Sequence, residues 1–120
     1  MAVGATFITW GEPIPGQEQK TLDLFENAIA LCNGLVEAGR VHRFRAFFNA
    51  SGDIREWAGT FIIEGDVGTL RALQFETGMQ DLEARASNTV KNLRVTLAVG
   101  GSAEDIRRPL RTYLDGLPPL

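Results

Sequence analysis

Cysteine, histidine and tyrosine each occur once in this chain of 120 residues, and lysine occurs twice. The single cysteine, Cys32, excludes an intrachain disulfide. The single histidine, His42, has no second His or Cys at metal-ligand spacing, so no metal site is expected. No Gly-x-Ser-x-Gly nucleophile motif and no phosphate-binding glycine loop occurs. No segment approaches the ~18 consecutive apolar residues of a membrane span. The start, Met-Ala-Val-Gly-Ala-Thr, lacks a basic region followed by an apolar stretch, so no signal peptide is expected and the protein reads as cytoplasmic. Positive charge is also scarce. The net charge of −3 and a pI near 5.1 argue against a nucleic-acid partner, because neutralising phosphates requires clustered Lys and Arg.

What is present is ordinary globular material. Apolar residues make up 44% and charged residues 22%. The length fits a single domain, residues 1–120, with a core that needs no disulfide or metal. The basic set is ten Arg against Lys20 and Lys91. Arginine suits sites where a planar donor fork meets a carboxylate or phosphate, although composition bias gives the same ratio.

Residues 5–10 (Ala-Thr-Phe-Ile-Thr-Trp) are β-branched and aromatic and predict a strand. Gly11-Glu12-Pro13-Ile14-Pro15-Gly16 is a loop. From Gln17 to Ala38, Leu22, Phe25, Ile29, Cys32 and Val36 recur at steps of three and four, with Leu35 beside them, and mark one helical face. Cys32 on that stripe reads as an inert core thiol. Gly39 is a natural helix stop. Val41–Phe48 reads as a second strand, with His42, Phe44, Ala46 and Phe48 on the face expected to pack on helices. The turn formers of residues 49–56 close a hairpin onto a third strand, Trp57–Glu64, apolar on both faces and therefore expected to be central.

Asp66 is a good N-cap for a helix beginning at Val67. Gly78 interrupts it, and Thr77 with Gln80 has capping-box spacing, so a second piece is expected there with Met79, Leu82, Ala86 and Val90 facing inward. Leu93–Val99 alternates as a half-buried strand. Ser102 and Asp105 open a C-terminal helical segment carrying Ile106, Leu110, Leu114 and Leu117, in which Pro109 predicts a kink or restart. Pro118-Pro119-Leu120 should end it.

The fold class that follows is α+β, the ferredoxin-like βαββαβ arrangement. Right-handed crossovers then give a four-stranded antiparallel sheet of order 4-1-3-2, with a split second helix and a C-terminal helical tail. Helices cover one face. The third strand offers large apolar residues to the other face as well, each worth roughly 1.5–3 kcal/mol when buried. A sheet-to-sheet homodimer would cover them.

Element order over residues 5 to about 100, the Trp10–Gly16 exit from the first strand and the split second helix together resemble the dimeric α+β barrel superfamily, in particular its small uncharacterised members. That superfamily includes cofactor-independent monooxygenases, haem-binding and haem-degrading proteins, muconolactone isomerase-like enzymes and ligand-sensing modules. The resemblance therefore implies a scaffold and a homodimer, and leaves the chemistry open.

In this topology Trp10, Trp57, Phe47 or Phe48, and Arg94 gather at one end of the sheet, under the loop 11–16. Aromatic walls with one cation suit a planar or acidic organic molecule. The structural alternative is that both tryptophans plug the end of the fold. Arg43 and Arg45 share a strand face and lie roughly 14 Å from Arg94 across the sheet, so they would rim a cavity or guard the strand edges. His42 could serve as a general base or haem ligand, or as a structural residue at a strand end. Whether Thr6, Ile8 and Trp10 or Phe7 and Thr9 face inward stays open. The candidate ligand-binding set is Trp10, His42, Arg43, Arg45, Phe47, Trp57 and Arg94, with no catalytic residue and no cofactor assigned. A homodimeric small-molecule-binding protein is expected, either a cofactor-independent monooxygenase-like or isomerase-like enzyme or a non-catalytic module. RNA binding fits poorly, since the third strand lacks the leading basic residue and second exposed aromatic of RNA-recognition domains.

Overall fold

The β-branched run near the N-terminus forms β1 (Val3–Trp10), and the rest of the sheet is arranged around it. The structure, a computed structural model, describes residues 2–117. The expected ending at Pro118-Pro119-Leu120 lies outside the described residues. After β1 come α1 (Glu18–Glu37), β2 (Arg43–Phe48), β3 (Gly59–Asp66), α2 (Val67–Leu73), α3 (Thr77–Ser87), β4 (Arg94–Val99) and α4 (Ala103–Asp115). The four strands form one sheet of order β2-β3-β1-β4, which is the predicted 4-1-3-2 read from the other edge. All neighbours are antiparallel, with Phe7 opposite Ile62 and Thr96, and Arg45 opposite Ile62.

Local chemistry fixes the ends of the helices. Gly39, at φ +71°, lets Gly39 N–H donate to Val36 O and Arg40 N–H to Leu35 O, the paired bonds of a Schellman stop. Asp66 caps α2, accepting from Thr69 N–H at 3.1 Å. The break between α2 and α3 falls at residues 74–76 rather than at Gly78, which lies inside α3. Thr77 is the first helical residue and not the cap. Glu76 takes the cap position without a side-chain bond, because its carboxylate is engaged by Arg40. Ser102 does cap α4, accepting from Asp105 N–H at 3.3 Å and donating to Asp105 Oδ2 at 2.9 Å. Pro109 does not restart this helix. The segment runs through it on the surface, where water can take the one carbonyl that loses its partner.

The core is Cys32, Leu35, Val41, Ile63, Leu70 and Leu73, with Ile8, Phe44, Met79 and Leu97 packed against it. It lies between one sheet face and α1–α3. Residues Thr6, Ile8 and Trp10 point into this layer, which settles the facing of β1. Three residues expected on the core side are exposed instead. Leu22 is more than half exposed, and Leu24 takes its place on the inner stripe. Phe48 and Ala46 on edge strand β2 are also exposed, because the helices do not reach that far. Of the described helices, none is long and apolar enough to cross a membrane.

Candidate functional site

A cavity of about 100 Å³ lies between the sheet and α1–α3. β1 contributes Thr6, Ile8 and Trp10 to its floor, and β3 contributes Phe61 and Ile63. α1 lines it with Thr21, Leu24, Phe25, Ala28 and Cys32; α3 adds Met79, Leu82 and Ala86. Period-two alternation on the strands and steps of three and four on the helices bring these positions to one space.

Phe61 is the hub of an aromatic wall. Its ring centroid lies 4.7 Å from Trp10, 5.6 Å from Phe25 and 5.3 Å from Phe44, the last edge-on. Trp10 reaches this position because its cross-strand partner is Gly59. A Cβ there would run into the indole, so the glycine makes room for the ring to lie over β3. The loop after Trp10 closes the same end. Gly11 N–H donates to Lys91 O at 2.7 Å, Ile14 N–H to Thr89 O at 2.8 Å, and Lys91 N–H to Glu12 O at 2.9 Å. Lys91 Nζ also pairs with Glu12 Oε1 at 3.0 Å. Thr21 Oγ1 is satisfied by Gln17 O at 2.8 Å.

Two titratable side chains belong to the lining. Glu83 is exposed. Cys32 is buried, and burial pushes its thiol up from about 9 to about 11, because the thiolate would lose its water. At neutral pH it is a protonated, apolar-like group rather than a nucleophile.

The predicted site residues divide between the two sides of the sheet. Trp10 is in the cavity. Arg43, Arg45, Phe47, Trp57 and Arg94 are on the open side. There, Thr9, Glu56, Trp57, Asn92 and Arg94 surround a hollow, in which Asn92 Nδ2 donates to Glu56 Oε2 at 2.7 Å. Trp57 precedes β3 rather than starting it, and its indole N–H donates to Thr60 Oγ1 at 2.8 Å. So Trp57 and Arg94 do come together, but the sheet separates both from Trp10. Phe47 pairs across from Thr60, with Arg45 5.9 Å from its ring centroid. Glu64 draws Arg45 to 3.3 Å and Arg43 to 4.0 Å. His42 is exposed just before β2, held through its backbone N–H to Glu64 O, and lines neither space. Among the described residues no three His, Cys, Asp or Glu side chains form a cluster suited to a metal ion.

Sequence reading missed Thr6, Phe25, Phe61 and Met79 as cavity walls. The inward pattern was visible for Met79, Leu82 and Ala86, but nothing in a linear pattern tells a filled core from a hollow one.

No family model matches the sequence, and no curated protein matches it. Solved structures do. One is a dimeric protein of unknown function and ferredoxin-like fold from Bacteroides fragilis, at 7% identity and a TM-score of 0.61, covering 82% of this chain and 96% of that one. Another is an ethyl tert-butyl ether d (ethd) family protein from Bacillus halodurans, at 13% identity and a TM-score of 0.55, covering 85% of this chain and 99% of that one. Identities this low speak for architecture and not for activity. What the strand order, the helix layer and these neighbours establish together is that the chain has the ferredoxin-like α+β fold.

Proposed function

We propose that this protein binds a compact, flat apolar molecule in the cavity between the sheet and α1–α3. The observation that carries this reading is the cavity itself: an aromatic wall of Trp10, Phe61 and Phe25 facing aliphatic and small side chains from α1 and α3. A neutral Cys32 and an exposed Glu83 leave the lining without a poised general base, which favours binding over proton-transfer chemistry. Titration with benzene, the smallest aromatic ring, followed by calorimetry, tests it. Saturable binding to the wild type that is lost in Ala86→Phe, which fills the space, supports the reading. Equal binding by both proteins overturns it. Turnover of such a ring by a cofactor-independent, monooxygenase-like or isomerase-like route is the second reading. It is favoured by the same aromatic wall and read by mass spectrometry of the bound molecule after aerobic incubation.

The working unit in this proposal is a homodimer joined through the open sheet faces. Ile62 and Phe7 lie at the centre of that face, and Phe47 and Trp57 are about half exposed beside them. Arg45 Nε and Glu64 Oε2 are buried there without a hydrogen-bond partner among the described residues; their 3.3 Å approach is in ion-pair range but misaligned. The Bacteroides neighbour is dimeric. Arg43, Arg45 and Arg94 would then rim the joint, with Trp57 and Arg94 forming a second, acid-compatible subsite. Light scattering across a dilution series checks the assembly: a dimer mass that falls to monomer in Ile62→Asp supports it, and a wild-type monomer overturns it.

A further inference from the structure

The ferredoxin-like arrangement closes with β4, so α4 is an addition to it. Every residue of α4 is exposed. Ile106, Leu110, Tyr113, Leu114 and Leu117 nevertheless run along one side at steps of three and four, with 41% to 63% of their surface in water. A helix of 13 residues is marginal by itself and takes its stability from packing an apolar stripe. Pro109 weakens this one further by removing a backbone hydrogen bond. α4 therefore calls for a surface to lie on.

Its root is fixed. Gly100, at φ +112°, donates its N–H to Val3 O at 2.7 Å, and Ile106 closes over the space that a Cβ at Gly100 would fill. Beyond that root the helix projects. The radius of gyration is 15.8 Å, against about 13–14 Å for a compact chain of this length. A membrane surface suits the helix poorly, because Glu104, Asp105 and Asp115 balance Arg107, Arg108 and Arg111, and a helix lying on anionic lipid carries a basic surplus.

The chain itself offers a matching surface. Phe47, Phe48, Ile54 and Trp57, at the end of β2 and in the hairpin after it, are 44% to 75% exposed. β4 ends at Val99 beside Gly4, and β2 ends at Phe48 beside Gly59, so the root of α4 and this patch hold diagonally opposite corners of the sheet. Strand spacing and rise put the corners roughly 25 Å apart. A two-fold axis along the other diagonal of the open face exchanges them, and the two sheets then cross at right angles, one of the two ways in which sheets pack.

We infer that α4 is an exchange arm: the apolar stripe of each copy docks on the Phe47–Trp57 corner of a second copy of this chain. This rests on the sheet-to-sheet homodimer proposed above and adds the segment that locks it. Size favours the arrangement. Strands of six to eight residues make a face of about 400–500 Å², whereas a stable interface takes about 800 Å² from each partner. Each copy would add one arm, about 20 Å long and 10 Å wide, and one acceptor corner, which brings the total near that size.

Light scattering over a dilution series would compare the wild type with Leu110→Asp plus Leu114→Asp on the arm, and with Phe48→Asp on the acceptor. Either change should raise the dimer Kd about tenfold or more. The urea midpoint of the arm variant at monomeric dilution should match the wild type, and a lowered one would place the stripe inside its own protomer. Oxidation of a chain carrying Leu110→Cys and Phe48→Cys reads the exchange directly, since Cys32 is buried and stays out of the reaction. A covalent dimer by mass spectrometry supports the arm; a disulfide closed within one chain overturns it. Unchanged Kd values in both Asp variants of a dimeric protein overturn the arm and leave the homodimer standing, whereas a monomeric wild type overturns both. Binding to phosphatidylglycerol vesicles that the arm variant loses, with its dimer Kd unchanged, assigns α4 to a membrane and also overturns the arm.

Discussion

The two faces of the sheet are built from the same strands in the same register, yet they carry opposite chemistry. On the helix-covered face, successive cross-strand rows read Phe44, Ile63, Thr6, Leu97 and Ala46, Phe61, Ile8, Val95. One hydroxyl is the only polar group in eight positions. On the open face the rows read Arg45, Ile62, Phe7, Thr96 and Phe47, Thr60, Thr9, Arg94. Apolar or hydroxyl residues hold the middle, and arginines stand on the edge strands β2 and β4. In the proposed homodimer, charged margins and an apolar centre would give that face a wet rim and a dry middle. The face with a single hydroxyl under helices has the composition of a core layer, with the cavity inside it. The difference teaches that one strand pattern can carry two surface chemistries, divided by the pleat.

The strongest way to break this comparison is to cut the same atoms from each face. Ile63 is 1% exposed within the core, and Ile62 is its half-buried neighbour on the other side. Ile63→Ala should cost about 2–5 kcal/mol in urea unfolding. Ile62→Ala should cost about 1 kcal/mol or less under dilute conditions, with the gap narrowing as protein concentration rises. Equal costs at every concentration would mean that the two faces are covered alike.

Alkaline pH addresses only the covered face. Cys32 holds its proton up to about 11 in the folded state, against about 9 ordinarily. The unfolded chain therefore ionises first. The thiol contributes no loss below pH 9, and stability falls as pH climbs from 9 toward 11, by about 2–3 kcal/mol from this group. Cys32→Ala should flatten that part of the profile, read by urea unfolding across pH. A thiol reagent at pH 8 should label the native wild type far more slowly than the urea-unfolded chain. Next in size is Gly59→Ala, which pushes Trp10 out of its place over β3. It should cost about 1–3 kcal/mol by overpacking and weaken benzene binding at the same time.

Much of this architecture was legible in the residues. Strand alternation, the Gly39 stop, the Asp66 cap and the inward set Met79, Leu82, Ala86 are local patterns, and each specifies its element through chemistry within a few residues. What was not legible depends on pairs distant in sequence. Trp10 and Trp57 looked like partners because both belong to the same end of the sheet. Which side each ring takes is set by the Trp10–Gly59 register and by the Trp57–Thr60 bond, and neither is a local pattern. Leu22 looked like core because its spacing fits the stripe. Its neighbour Leu24 took the inner position because the helices settle around the cavity.

The smallest expected effect sharpens the comparison most. Arg45 and Glu64 face each other on the open side, both partly exposed, and Arg43 shares the same carboxylate. In a free monomer this is a part-exposed ion pair, its facing atoms shielded while about a third of each side chain stays in water. Arg45→Met should then cost about 0–1 kcal/mol, and added salt should erase even that. If the faces pack against each other, water leaves the pair, and the same substitution strands Glu64 in a buried joint. The cost in dimer stability should then rise to about 3–5 kcal/mol, with little response to salt, because a buried charge without its partner is expensive. Arg45→Met together with Glu64→Leu removes both charges and should restore most of the loss. A salt-erased cost that stays small at high protein concentration would place the open face in water. The recovery of the double variant, read by light scattering and urea unfolding on the same samples, would place it against a second protein surface.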